Sequence, residues 1–390
     1  MLSKRIQTLS TSMTIAITTL ALELKAEGKD ILSFSAGEPD FDTPVEIKEA
    51  AKKALDEGKT KYTAIPGTPE LLKAVADKLK RDNNLDYDTN MIQTNNGAKH
   101  SLFNLFQALI DEGDEVIIPA PYWVTYPEVV KYSGGTAVII ETDDTTSFKI
   151  TPKQLEEAIT PKTKVLVITT PSNPTGSVYS KEELEALAEV LKGTDILVFS
   201  DEMYEKLVYG GVEFTALASI SEDMFQRTVT INGLSKSASM TGWRFGYLAT
   251  PKVELVSAMN KLQSQSTSNI SSITQSAAIA GLNGSVDKTV QDMRKVFEER
   301  RDEAYDIVNS IEGLSVVKPD GAFYLFINIK NVSSDSMEFS KELLAKEGVA
   351  VVPGIAFGAE GYIRLSFATD INTIREGLKR LDRFVQNLKK

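Results

Sequence analysis

Apolar spacing divides the chain into regions of different character. Between Met91 and about Ala249, short apolar runs recur near 91–95, 115–120, 136–141, 164–169, 196–200, 228–231 and 245–249. Helical patterns separate the earlier runs. In the one from Ser180 to Leu191, Ser180 and Glu183 have the spacing of a capping box. Short runs rich in Val, Ile and Leu that alternate with helices predict an α/β fold, a mainly parallel seven-stranded sheet covered on both faces. The link between the last two runs is short, so one edge strand of opposite sense is expected there.

Upstream, helical spacing covers 13–27 and stops at Gly28, and Ile31–Phe34 has the pattern of a short strand. A helix is expected from Val45 to Glu57, and another, opened by Thr68 and Pro69, to about Arg81. Beyond Lys252 the pattern is helical to about Ile311. A small α+β unit then follows: a strand around 322–329, a helix near 336–347, strands at 349–352 and 362–367, and a closing helix 371–388. No flexible linker separates the parts, so the helical stretch around 285–310 is expected to join them.

Composition narrows the chemistry. The chain has 390 residues, enough for two or three domains, and 43 Lys+Arg against 54 Asp+Glu give a net charge of −11. That acidity, without a basic block, argues against nucleic acid. No apolar run reaches membrane-spanning length and the N-terminus lacks a compact signal core, so a cytoplasmic protein is expected. With no cysteine and one histidine, His100, neither a thiolate or His-rich metal site nor a Ser-His-Asp triad is expected. His100 itself is expected to be a packing or surface residue. The triplet Gly58-Lys59-Thr60 fails as a P-loop, because position 53 is Lys53 and not glycine.

In such a sheet, ligands bind at the carboxyl ends of the strands, and the ends of these runs carry a coherent set of groups. Asn95-Asn96-Gly97-Ala98-Lys99 turns from strand into helix and offers backbone N–H groups to an anion. Tyr122-Trp123 supplies an aromatic face. Pro171-Ser172-Asn173-Pro174-Thr175-Gly176 fixes an Asn between prolines, and Ser200-Asp201-Glu202-Met203-Tyr204 sets a carboxylate where a strand leaves the core. Lys236 follows the run at 228–231 among small and apolar neighbours. There a lysine is partly desolvated, its pKa falls, and its amine becomes a nucleophile able to form a Schiff base with an aldehyde cofactor. Arg244, just beyond, carries a fork that suits a phosphate. Asp201 suits a protonated pyridine nitrogen.

Taken together, Gly37-Glu38-Pro39-Asp40-Phe41, Pro171–Gly176, Ser200–Tyr204, Ser235-Lys236 and Gly242-Trp243-Arg244 make the chain resemble, over nearly its whole length, the fold-type I, class I aminotransferases that use pyridoxal 5'-phosphate. The bacterial aspartate aminotransferase branch, some of whose members also accept prephenate, is the most similar. The resemblance implies a large cofactor-binding domain, 45–285, and a smaller domain from the two chain ends, 1–44 and 286–390. It implies that Lys236 binds the cofactor and carries protons, that Asp201 pairs with the ring nitrogen, and that Tyr204 and Asn173 reach the phenolic oxygen. By the same resemblance, Trp123 would stack on the ring, and Gly97, Ala98, Lys99 and Arg244 would surround the phosphate, with Tyr62 from a partner subunit of a homodimer that shares its active sites. Arg364 would hold the substrate α-carboxylate, helped by Asn173 and the Gly37 backbone. The stretch Gln265–Asn269 lacks the cation that other family members contribute across the dimer. The resemblance to the bacterial branch implies that Lys99, helped by Ser12 and Thr14, takes the distal carboxylate of an acidic substrate instead, although Ser10-Thr11 replaces that branch's usual Lys-Pro.

The implied reaction moves an amino group from aspartate to 2-oxoglutarate. The same scaffold serves prephenate, aromatic amino acids, alanine or sulfur-containing substrates, and these alternatives stay open. A non-catalytic binding protein on this fold should lack one of Lys236, Asp201 and Arg364, and all three are present. A dinucleotide enzyme is excluded by the absence of a G-x-G-x-x-G after any strand.

Overall fold

The computed structural model describes residues 2–388, apart from the side chain of Thr14. Along the chain the strands are β1 (Leu32–Ser33), β2 (Ile92–Asn95), β3 (Glu115–Pro119), β4 (Thr136–Ile140), β5 (Thr163–Thr169), β6 (Leu197–Asp201), β7 (Thr228–Gly233), β8 (Gly246–Ala249), β9 (Ser315–Val316), β10 (Tyr324–Asn328), β11 (Val349–Ala350), β12 (Val352–Pro353) and β13 (Tyr362–Ser366). A seven-stranded sheet has the order β2-β8-β7-β6-β5-β3-β4, and only β8 runs against its neighbours. The strand of opposite sense is therefore second from the edge, not at the edge. β8 returns from β7 as an antiparallel partner, and β2, from far upstream, caps it on the outside. Burial on both faces explains the continuous apolar runs: Val165, Leu166, Val167 and Ile168 of β5 are each at most 1% exposed.

Local signals set the helix starts. The Ser180–Glu183 capping box is formed at the head of helix Lys181–Leu191. Thr68 Oγ1 accepts the Leu71 N–H at 3.3 Å to open helix Pro69–Asn83, with Pro69 in its first turn. The helical stretch after Lys252 resolves into Val253–Ser264, Ser272–Leu282 and the 24-residue Asp287–Ser310.

A four-stranded antiparallel sheet, β12-β13-β10-β9, forms the smaller unit, and β1 pairs in parallel with β11, which ties the two ends of the chain together. Apolar packing is continuous across the two sheets; one buried cluster holds Phe34, Leu325 and Leu365 together with Val116, Val167 and Phe199. The loop at Gly37–Phe41 is braced against the long helix, where Arg300 forks onto Asp40 at 2.8 and 2.9 Å and packs over Phe41 and Phe297.

Candidate active site

Topology gathers the site. Strands β2, β3, β5, β6 and β7 end on one edge of the sheet, and the antiparallel β8 begins there. Groups that follow the first five and precede the sixth therefore meet. A cavity of about 260 Å³ at that edge is lined by Ala98, Lys99, Trp123, Asn173, Asp201, Tyr204, Lys236 and Arg244, and the smaller unit adds Gly37 and Arg364.

Lys236 follows β7. Its Nζ donates to the Gly37 carbonyl at 2.5 Å. The side chain opens onto the cavity on one side and is enclosed by protein elsewhere. Burial lowers the amine to about 8, with the Glu38 carboxylate pulling upward and Arg364 and Arg244 pushing further down. Opposite, Asp201 terminates β6 and is buried. Its Oδ2 accepts from Tyr126 Oη at 2.7 Å and its Oδ1 from the Met203 N–H at 3.3 Å. Burial raises its pKa; the tyrosine bond acts against that rise. A cation placed beside it in the cavity would restore its charge.

Arg364 sits on β13, 2% exposed. Nη1 donates to Asn173 Oδ1 at 2.8 Å and Nη2 to the Ser35 carbonyl at 2.7 Å, while buried Nε has no partner. Among the described residues no carboxylate forms an ion pair with it. A buried guanidinium held only by neutral oxygens, with a donor left over, is fit for an anion from outside.

At the other end, Gly97 has φ +82° and precedes helix Ala98–Leu109. A Cβ on Gly97 would stand 2.4 Å from Arg244 Nη2, so a side chain here would push the guanidinium aside. Arg244 is fixed by the Thr241 carbonyl at 2.8 Å and the Asn96 carbonyl at 3.3 Å. A guanidinium beside a helix N-terminus is a phosphate cradle by chemistry. Lys99 Nζ lies 4.9 Å from the Trp123 ring centroid. Although largely exposed by area, it is crowded enough by protein, and then by Arg244, for its pKa to fall. His100 is half-buried, and its Nδ1 accepts the Asn96 N–H at 3.3 Å, which closes the turn.

Some expected groups lie elsewhere. Tyr62 is 91% exposed and outside this chain's cavity. Ser12 caps helix Met13–Ala26, accepting from Ile15 N–H at 3.5 Å, and does not line the cavity. Thr14 is helical in its backbone; its side chain lies outside what the structure describes. That helix does approach the site: Ile15, Thr18 and Thr19 line an adjoining cavity of about 310 Å³ that reaches Gly37 and Lys236. Tyr126, Thr169 and Tyr324 belong to the lining and were not singled out from the sequence. A tyrosine within a helical or strand-like apolar pattern has the appearance of core, and nothing local tells which wall it faces. The one available signal was position, since Tyr126 and Thr169 stand close to strand ends already marked as ligand-bearing.

The chain matches the family described as "Aminotransferase class I and II" over residues 29–381. It is 50% identical to an aspartate aminotransferase of Bacillus subtilis, covering 99% of both chains, and 47% identical to an aspartate/prephenate aminotransferase of Nitrosomonas europaea, covering 97% of this chain and 98% of that one. Among solved structures it is similar to the Thermus thermophilus aspartate aminotransferase with maleate: TM-score 0.95, 42% identity, 98% of this chain and 99% of that one. With a family match across most of its length and relatives near half-identical from end to end, this chain belongs to the class I and II aminotransferases.

Proposed function

We propose that the chain is an aspartate aminotransferase, moving the amino group of aspartate or another acidic amino acid to 2-oxoglutarate in a ping-pong reaction. The cofactor is pyridoxal 5'-phosphate. When bound, it supplies an aldehyde that exchanges between amines and an electron-withdrawing ring that stabilises charge at the substrate α-carbon. The cavity suits each part of it. Gly97, Ala98, Lys99 and Arg244 would hold the phosphate, Trp123 would stack on the ring, Asp201 would face the ring nitrogen, and Tyr204 and Asn173 the phenolic oxygen. Lys236 Nζ, already close to neutral in mildly alkaline water, would take the proton from the substrate α-carbon and return it.

The observation that carries the substrate class is Arg364, a buried cation without an acid, facing the same space as the lysine amine. It is matched to an α-carboxylate, and its fork fixes the substrate's orientation. Lys99 supplies a second cation for the distal carboxylate. The Thermus thermophilus structure with maleate, a dicarboxylate, supports an acidic substrate. The aspartate/prephenate relative supports prephenate, itself a 2-oxo acid, as a second amino acceptor. We further propose the domain division at 44/45 and 285/286, a cytoplasmic homodimer, and Tyr62 reaching the partner's phosphate. The exposure of Tyr62 supports that last role, and the exposed Leu2, Ile6 and Ile15 near the N-terminus support the dimer.

The test is a panel of aspartate, glutamate, alanine and phenylalanine as donors, each with 2-oxoglutarate and with prephenate. Aspartate should exceed alanine in kcat/KM by about tenfold or more, the effect of one additional ion-paired contact. Equal values would sink the acidic-substrate assignment.

A further inference from the structure

Tyr324 of β10 stands at the back of the cavity, 1% exposed, with none of the roles assigned above. Its Oη is 2.8 Å from Tyr204 Oη. The Arg364 guanidinium lies over its ring, Cζ 4.4 Å from the centroid. In front of it, a Cβ on Gly37 would stand 2.6 Å from its hydroxyl, so that glycine leaves the room the hydroxyl occupies. One side chain therefore touches the arginine suited to the substrate carboxylate and the tyrosine suited to the ring oxygen.

Two hydroxyls joined by one hydrogen bond share a single proton in it, and the other proton must go elsewhere. Burial raises both hydroxyls and the Arg364 charge lowers both, but the guanidinium lies directly over the Tyr324 ring and the Asp201 carboxylate raises Tyr204 alone, which leaves Tyr324 the more acidic of the pair. The better donor is then Tyr324. Resting on the cofactor reading above, we propose that Tyr324 is a positioning residue: it donates to Tyr204, which turns its own proton into the cavity, and its ring holds Arg364 flat. Donating while accepting also strengthens the Tyr204 hydroxyl as a donor.

The variants Tyr324→Phe and Tyr324→Leu separate the two roles, both made as holoenzyme and checked for the parent's thermal midpoint. Tyr324→Phe keeps the ring and removes the donor. The pH midpoint of the bound cofactor's absorbance should rise by about half a unit, a fraction of the effect of a whole hydrogen bond lost at the chromophore. KM for aspartate should change by less than about twofold, since the ring over Arg364 is kept. Tyr324→Leu removes the ring, and KM for aspartate and alanine should rise together, by about tenfold, because both carry the α-carboxylate. An unmoved absorbance midpoint in Tyr324→Phe overturns the donor role, and an unmoved KM in Tyr324→Leu overturns the ring's. If the leucine variant does not fold, Tyr324→Met, which also lacks the ring, takes its place in the KM measurement. A parent protein that gains no pH-dependent absorbance with pyridoxal phosphate would overturn the cofactor reading itself, an outcome distinct from the other two.

Discussion

Lys236 illustrates how burial is spent on chemistry. The amine titrates near 8 in the fold and near 10.5 in the open chain, so the folded state binds this proton the more weakly. The resulting cost is full below about pH 8, fades between the two values and is gone above 10.5. Lys236→Met, in cofactor-free protein, should therefore raise the thermal midpoint by a few degrees at pH 7 and lose that gain at pH 10.5. An equal gain at both would trace to packing instead of charge. Asp201 sits under the same rule with the sign reversed, since burial raises its pKa. Asp201→Asn should keep the cofactor and lose on the order of 100-fold or more in kcat, as when a preorganised electrostatic partner is removed. Tyr126→Phe removes the donor at 2.7 Å, raises the Asp201 pKa further, and should cost about tenfold, as for one hydrogen bond to a charged group; steady-state kcat across pH checks both. Lys99→Ala, measured at saturating cofactor, should lower kcat/KM for aspartate by roughly 10- to 100-fold more than for alanine. Equal losses would make Lys99 a phosphate residue only.

Elements place these residues, and here legibility was uneven. Strands, caps and the closing helices were readable because apolar period, Ser180–Glu183 and Thr68-Pro69 are local signals. The seat of β8 was not, because pairing with β2 joins segments some 150 positions apart and no local pattern encodes it. Tyr126 and Tyr324 stayed hidden for the same reason: each meets its partner, Asp201 or Tyr204, across a long sequence separation. The Gly97 turn was legible as an anion site, but the side chain that its missing Cβ makes room for was not. Gly97 and Gly113 both have positive φ, +82° and +97°, yet a Cβ meets Arg244 at the first and open space at the second. Alanine should cost stability at both, on the order of 1–3 kcal/mol of backbone strain. Only Gly97→Ala should also weaken pyridoxal phosphate binding, by displacing the Arg244 guanidinium. Fluorescence titration with the cofactor distinguishes the two; equal affinities would remove Gly97 from the phosphate site.

At the scale of the whole molecule, one tyrosine stands out of place. Tyr62, proposed above to reach a partner's phosphate, is 91% exposed and lies outside its own chain's cavity. A large aromatic left in water costs hydrophobic free energy that a second subunit could recover. If the chain pairs through a two-fold axis, each Tyr62 serves the other chain's site, and the arrangement is reciprocal. Complementation then follows from geometry. In a mixed dimer of Lys236→Ala and Tyr62→Phe chains, one site combines both lesions and the other has neither. Unfolding and refolding an equal mixture should therefore restore up to about a quarter of the wild-type sites under random pairing. Activity is read at limiting pyridoxal phosphate, where the Tyr62→Phe homodimer is weakest. If every group of a site came from one chain, each mixed dimer would hold one lysine-free and one phenylalanine site, and activity would stay at the mean of the two parents. That outcome, with exchange of subunits demonstrated by differently tagged chains, would refute shared sites.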